Sequence, residues 1–358
     1  MNRVLIMAGG TGGHVFPGLA VARELIERGA AVSWLGTERG IESRVVPASG
    51  LPIDMQWINV RGVRGTNIFN WLLLPFRLVR ALIQTFGIMR RCKPDVALSF
   101  GGFVAGPGGL VAWLTRTPLV IHEANAIPGF TNKMLALVAD EILTGFPDGF
   151  GSMAHARQVG NPVREEIAAI LSPQLRLANR SGPLHVLVIG GSQGARIFNE
   201  VLPQALKLMP LAIRPEIRHQ CGRNQRDATL AAYGDAQANV SEFIDAMAAA
   251  YAWADVVIAR AGAMTVSEIS AAGCCAVLVP FSHAVDDHQT ANARSLSERD
   301  AAVLLPQSEF TATRVAALLH ELHDNRGLIL QMAQAARGLA IPDAAHAVAT
   351  ACREALHA

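Results

Sequence analysis

The stretch Val4-Leu-Ile-Met-Ala-Gly-Gly-Thr-Gly-Gly-His14 decides the fold. Four apolar residues, Val4–Met7, run into a glycine cluster. From Phe16 to Arg28 the residues Leu19, Ala22, Leu25 and Ile26 then recur at helical spacing until Gly29 ends the pattern. A strand, a glycine turn and a helix in that order open a doubly wound α/β domain. The apolar run is too short for a signal peptide and stops at glycine rather than at a cleavage site.

Outward from this start the same alternation continues. Strand-like runs follow at Ala31–Leu35, Val96–Phe100, Leu119–His122 and Glu141–Thr144, separated by segments with helical character, which implies a parallel sheet covered on both faces. The pattern pauses at Val159-Gly-Asn-Pro-Val-Arg164 and resumes at Leu184–Ile189, where Gly190-Gly-Ser-Gln-Gly194 and a helix from Ala195 follow at once. The two halves open alike, so the reading is α/β with two doubly wound Rossmann-like domains, 1–163 and 164–341, and a C-terminal helix over 342–358 able to pack back on the first.

Composition agrees with two packed domains. The 358 residues are 51% apolar, and 31 basic against 29 acidic residues leave a net charge of +2, far from the basic balance of a nucleic-acid binder. Residues 1–163 carry +5 and residues 164–358 carry −3, and between Asp54 and Asp95 stand seven basic residues and no acid. Five cysteines without a Cys-x-x-Cys pair make neither a disulfide framework nor a zinc site, which reads as a reducing, cytoplasmic compartment. Val96–Thr115 is uncharged and 20 residues long, but five glycines and Pro107 argue against a membrane-crossing helix.

The turn Gly9–His14 has the chemistry of an anion site. Glycines permit close backbone approach, and a helix start offers free N–H groups and partial positive charge, so a diphosphate can be held there. It is not the dinucleotide fingerprint, because Val15 stands where the third glycine should be, and no Gly-Lys-Ser/Thr follows as a P-loop requires. That argues against a nicotinamide-dependent oxidoreductase, which the glycine loops alone would allow. Further glycine-rich segments at Phe100–Gly109 and Gly190–Gly194 also follow strands. Three such loops drawn from both halves suggest a cleft between domains that handles phosphates, with Ser192 as a hydroxyl donor.

Ala261–Glu268 follows a strand, Val256–Ala259, and opens a helix running to Ala272. The spacing Thr265-x-x-Glu268 leaves two readings open: a capping box, in which Glu268 reaches back to the Thr265 backbone N–H, or a carboxylate that takes two hydrogen bonds from adjacent sugar hydroxyls. His14, His122 and Glu123 are the proton-transfer candidates of the first half. Asp286-Asp287-His288-Gln289 does not make a metal site, since adjacent side chains diverge and no Asp-x-Asp occurs, so no cofactor or metal is required. In residues 68–91 the spacing from Phe76 onward puts Arg77, Arg80, Gln84 and Arg91 on one helical face and Val79, Leu82, Ile83 and Phe86 on the other, the form of a helix lying on an anionic membrane surface or of a sheet-covering helix with a basic edge.

With these residues in view the chain resembles glycosyltransferase family 28, the two-domain (GT-B) glycosyltransferases of peptidoglycan synthesis. The motifs stand in family order over nearly the whole chain: Gly9–His14, Gly101-Gly102, His122-Glu123-x-Asn125, Gly160-Asn-Pro-Val-Arg164, Gly190–Ala195, Glu242-Phe-Ile244, Arg260-Ala-Gly262, Thr265–Glu268 and His288-Gln289 with Asn292. The resemblance implies inverting transfer of N-acetylglucosamine from UDP-N-acetylglucosamine to the muramic acid 4-hydroxyl of lipid I, giving lipid II, by an enzyme peripheral to the cytoplasmic face of the inner membrane. It implies that Ile244 meets the uracil, Glu268 the ribose, and Ser192 with the helix start Ala263, Met264, Thr265, Val266 and Ser267 the donor diphosphate. Gln289 and Arg164 would complete the donor site. Thr11, Gly12, Gly13 and Asn125 would serve the acceptor, with His14 as general base. Phe103 stands where the family often has Tyr, and Ala124 where it often has Gln.

Overall fold

The structure is a computed structural model and describes residues 1–60, 74–147, 149–151, 156–191, 194–281 and 287–356. The chain divides into two units, one of residues 1–164 with 341–358 and one of residues 165–340.

The first unit is built on a parallel sheet of strands β1 (Arg3–Ala8), β2 (Ala31–Gly36), β3 (Ile53–Trp57), β4 (Val96–Gly101), β5 (Leu119–Glu123), β6 (Glu141–Thr144) and β7 (Ala156–Gln158), in the order β3-β2-β1-β4-β5-β6-β7. Because side chains alternate across a strand, β1 supplies two cores at once. Val4, Ile6 and Ala8 face the helix Gly12–Glu27 and the C-terminal helix Ala344–Glu354, whose Val348, Ala349, Ala351 and Cys352 join that core. Leu5 and Met7 face the other way, into a core shared with Ile88, Met89, Val111, Ala112 and Leu135. That second side is covered by the helices Leu74–Cys92, Ala105–Leu114 and Phe130–Leu135.

The second unit repeats the plan with β8 (His185–Ile189), β9 (Glu216–Gln220), β10 (Ala238–Ser241), β11 (Val256–Ala259), β12 (Cys275–Leu278) and β13 (Ala302–Leu304), ordered β10-β9-β8-β11-β12-β13, all parallel. In each sheet the strand order reverses beside the first strand of its unit, between β1 and β4 and between β8 and β11. Ligands of such sheets sit at the carboxyl ends of the strands flanking that switch point. The residues placed there are Gly9–Gly13 and Gly101-Gly102 in the first unit, and Gly190, Gly191, Gly194 and Arg260–Gly262 in the second.

Two expectations of local structure are revised. The first helix begins at Gly12, four residues before the apolar periodicity that announced it, with Thr11 in extended conformation as its N-cap. The helix Leu74–Cys92 meets the sheet through Ala81, Thr85, Ile88 and Met89, not through the apolar face that the sheet-covering reading would bury; of that face only Leu82 packs inward, and Val79, Ile83 and Phe86 stay exposed, as the surface-helix reading has them. Of the segment 68–91, residues 68–73 lie outside the described residues. All five cysteines are free. No described helix is long and apolar enough to cross a membrane.

Candidate active site

The glycine loop of the first unit is held from below by a carboxylate the sequence reading did not single out. Glu42, at the start of the helix Glu42–Ala48, is fully buried; its Oε2 accepts the Gly10 N–H at 3.0 Å, and its Oε1 accepts the Thr37 N–H and hydroxyl, each at 2.9 Å. The Gly10 amide is therefore committed, and the N–H groups this loop can offer an anion are those of Gly12 and Gly13 at the helix start. Gly102, at a φ of 85°, comes so close that a Cβ on it would overlap the Gly9 carbonyl oxygen. A side chain there would strain the backbone and displace the loop.

His14 lies in the first turn of the helix that follows. Its Nδ1 stands 3.2 Å from the Gly9 carbonyl oxygen, which can only accept, and 3.3 Å from Thr11 Oγ1. The contact to Gly9 assigns the proton to Nδ1 and leaves Nε2 with a free lone pair. Nε2 lies against Gly101, where an added Cβ would approach it to 3.3 Å. Desolvation lowers the His14 pKa, although part of the ring meets solvent; the charge of Glu123, the Gly9 hydrogen bond and the charge of Glu42 oppose the shift without cancelling it. The ring is therefore a neutral base near pH 7.

His122 has a different role. Its ring is buried, Nε2 meets the Gly160 carbonyl at 2.9 Å, and burial lowers its pKa, so it ties β5 to the loop after β7. Glu123 is buried as well and is a hub: Oε1 accepts the Asn125 backbone and side-chain N–H groups at 2.9 and 3.1 Å, and Oε2 accepts the Gly129 N–H at 3.1 Å and Asn132 Nδ2 at 2.9 Å. Asn125 is thus oriented by its neighbour two residues back. Phe103 is 52% exposed at the mouth of the glycine loops and brings no hydroxyl. Arg164 falls in the first unit, its guanidinium 5.7 Å from the centre of the Phe16 ring.

In the second unit the helix Ala263–Ala272 starts from Gly262, whose φ of −65° and ψ of 144° are those of an N-cap, and Val266 makes the first helical hydrogen bond, to the Gly262 carbonyl. The N–H groups of Ala263, Met264 and Thr265 have no acceptor within the helix and lie at its positive end. This corrects the capping-box reading. Thr265 is helical rather than extended, so Glu268 cannot cap it; Glu268 sits a turn further on, half-buried, with Oε2 accepting the Tyr251 hydroxyl at 3.2 Å. Tyr251 is fully buried and escaped the sequence reading because its partner lies 17 residues away.

Around this helix start, Arg260 packs its guanidinium over Phe198 and Phe281, at 5.1 and 5.2 Å, and donates to the Val279 and Pro280 carbonyls at 3.1 and 3.2 Å. Gln289, in the first turn of the helix His288–Ser297, accepts the Phe281 N–H at 2.9 Å through its side-chain oxygen, and Asn292 donates to the Ala261 carbonyl at 3.1 Å. Ile244 lies half-buried in the loop between β10 and the helix Met247–Trp253. Ser192 lies outside the described residues. Gly194 is described, at a φ of 73°, with its α-carbon against the Cys221 carbonyl where a side chain would clash. Among the described residues no group of three His, Cys, Asp or Glu side chains stands close enough to hold a metal.

Two Rossmann-like units, each with an anion-ready helix start at its switch point, and a neutral histidine in one of them, define a nucleotide-sugar glycosyltransferase architecture. Comparison with known proteins agrees: residues 4–144 match the glycosyltransferase family 28 N-terminal domain and residues 185–348 its C-terminal domain. The chain belongs to glycosyltransferase family 28. It is 52% identical over 356 residues, 99% of its length and 98% of the relative's, to the UDP-N-acetylglucosamine--N-acetylmuramyl-(pentapeptide) pyrophosphoryl-undecaprenol N-acetylglucosamine transferase of Marinobacter nauticus. It is 51% identical to the protein of the same name from Nitrosococcus oceani, with 98% of each chain covered. Among solved structures, the crystal structure of MurG from Acinetobacter baumannii superposes with a TM-score of 0.84 at 41% identity, covering 99% of this chain and all of that one.

Proposed function

We propose that this protein transfers N-acetylglucosamine from UDP-N-acetylglucosamine to the muramic acid 4-hydroxyl of lipid I, forming lipid II with inversion at the anomeric carbon. One observation carries the chemistry: His14 Nδ1 stands 3.2 Å from the Gly9 carbonyl oxygen, a contact that places the ring proton on Nδ1 and leaves Nε2 to take a proton, and desolvation, which lowers the His14 pKa, favours the neutral ring. The names of relatives about half identical over their whole length support the choice of substrates.

In this reading His14 Nε2 removes the proton of the acceptor hydroxyl as its oxygen attacks C1 of the donor sugar. The bond from C1 to the UDP oxygen breaks, and the electron pair leaves with UDP. The charge that grows on the diphosphate is met by the N–H groups of Ala263, Met264 and Thr265 and by the positive end of their helix, fixed before reaction and so requiring no reorganisation. Glu268, oriented by Tyr251, takes the ribose hydroxyls; Ile244 flanks the uracil, and Gln289 faces the sugar. Thr11, Gly12, Gly13 and Asn125 serve the acceptor. No resident cofactor enters the scheme. A coupled assay for UDP release tests the reading: release is expected only when UDP-N-acetylglucosamine and a lipid I analogue are both present, and release with neither acceptor dependence nor donor specificity would refute it.

The lipid acceptor places the reaction at a membrane surface, and the first unit has a face suited to it. Phe76 is 75% exposed, Ile83 68% and Phe130 72%; Val79, Phe86, Trp113, Leu114 and Met134 are exposed on the same three neighbouring helices, with Arg77, Arg80, Arg90, Arg91 and Lys133 among them. Apolar rings that enter the headgroup layer beside cations that meet anionic lipid are the two signals such attachment needs. Replacing Arg77, Arg80, Arg90 and Arg91 together by Gln is expected to weaken sedimentation with anionic vesicles by at least about tenfold while leaving binding to neutral vesicles little changed. Unchanged sedimentation would remove this face from the account.

A further inference from the structure

Burying a carboxylate is costly unless hydrogen bonds compensate it, and Glu42 is 0% exposed. Its three donors, the Gly10 N–H and the N–H and hydroxyl of Thr37, brace the loop after β1 against the loop after β2. A carboxamide has a single acceptor oxygen and could hold the backbone N–H of only one of the two loops. What the negative charge adds beyond this follows from the identity of the amide that Glu42 holds.

The Gly10 N–H and the Gly9 carbonyl belong to one peptide unit, and in a trans peptide they point in opposite directions. On one side this unit donates to Glu42 Oε2 at 3.0 Å; on the other it accepts the His14 Nδ1–H at 3.2 Å. Carboxylate, peptide and imidazole thus form one continuous chain of hydrogen bonds, and bonds in such chains polarise one another. A negative charge on the amide side makes the carbonyl a stronger acceptor, which favours a positive charge on the ring. The unit is also clamped in place. A Cβ at Gly9 would stand 2.8 Å from Glu42 Oε1, and one at Gly102 would overlap the Gly9 carbonyl, so glycine is required on both sides of the plane.

We propose that Glu42 is a positioning residue for the transfer reaction, acting on His14 through the Gly9–Gly10 peptide unit to stabilise the imidazolium formed when Nε2 takes the acceptor proton. The proposal rests on the reading of His14 as the base. Among the described residues, two charged groups act on His14. Glu42 comes from the start of its own helix and works through the peptide. Glu123 comes from the end of β5 and works across space, its oxygens occupied by Asn125, Gly129 and Asn132. A neutral neighbour is Thr11, and Asn132 lines the same side of Gly101 as Nε2.

The test follows the His14 ring and the Gly10 amide by NMR in the whole protein labelled at histidine and glycine, beside turnover. In the unmodified protein the Gly10 amide proton is expected to resonate downfield, to exchange slowly, and to show an inflection at the pH where His14 titrates. In Glu42→Gln the His14 midpoint is expected to move to lower pH, the acidic limb of kcat/KM to move with it, and kcat to fall about tenfold. Glu42→Asp, which keeps the charge, should move the midpoint less than Glu42→Gln does. A brace without electrostatic effect would lower activity in both variants and leave both midpoints in place, which overturns the proposal. So does a Gly10 amide that shows no inflection in the unmodified protein, a result obtained whether or not Glu42→Gln folds. If His14→Ala keeps full turnover while the Glu42→Gln midpoint still moves, the link stands and it is the assignment of the base that fails.

Discussion

Replacing His14 by alanine is expected to lower kcat by about 10²- to 10⁴-fold, the range for loss of a general base, or roughly 3–5.5 kcal/mol of transition-state stabilisation. The KM for UDP-N-acetylglucosamine should change little, because Ile244, Ala263–Thr265, Glu268 and Gln289, which the scheme gives to the donor, are on the second unit. The pH profile adds a sign. The His14 pKa is lowered from the ordinary 6.5 by desolvation, so the acidic limb of kcat/KM in the unmodified enzyme should have its midpoint below 6.5 and should vanish in the variant. Steady-state kinetics over pH 4.5–8 check both statements. A variant with turnover within a few-fold of the unmodified enzyme would take the base away from His14.

The second large effect is expected on the donor. Glu268→Ala removes a carboxylate that is already aimed by the Tyr251 hydroxyl. A hydrogen bond to a charged group contributes about 1.5–3 kcal/mol, which corresponds to a rise in the donor KM of roughly 10- to 150-fold, with kcat less affected. Tyr251→Phe should give a smaller rise of the same kind, since the carboxylate remains but loses one partner. Competition by UDP separates the effect from folding: the inhibition constant should weaken in parallel with the KM. An unchanged donor KM in a folded Glu268→Ala would return Glu268 to a structural role.

How far these sites could be read in the sequence depended on whether their partners are neighbours in the chain. The strand runs at Val4–Met7, Val96–Phe100 and Val256–Ala259 were legible because both faces of a parallel sheet are buried and the strands are apolar throughout. The glycine turns were legible because they follow those strands directly. Glu42 was not: a lone glutamate after Gly40-Ile41 has the appearance of a solvated residue favouring a helix start, and only the packing of two loops makes it a buried anchor. The Thr265–Glu268 spacing satisfied a local rule, but an N-cap needs extended backbone, and Gly262 had taken that place three residues earlier. On the helix Leu74–Cys92 the period correctly marked an apolar stripe, yet the stripe that meets the sheet is the more modest one of Ala81, Thr85, Ile88 and Met89. Period alone does not say which of two stripes the core takes.

A crystal structure with UDP-N-acetylglucosamine bound tests most directly how the donor is gripped. The account predicts diphosphate oxygens within hydrogen-bond distance of the Ala263, Met264 and Thr265 amides and the ribose hydroxyls on Glu268. A donor lodged on the Gly9–His14 loop instead, or bridged to the protein chiefly by a divalent ion on aspartates, would contradict it.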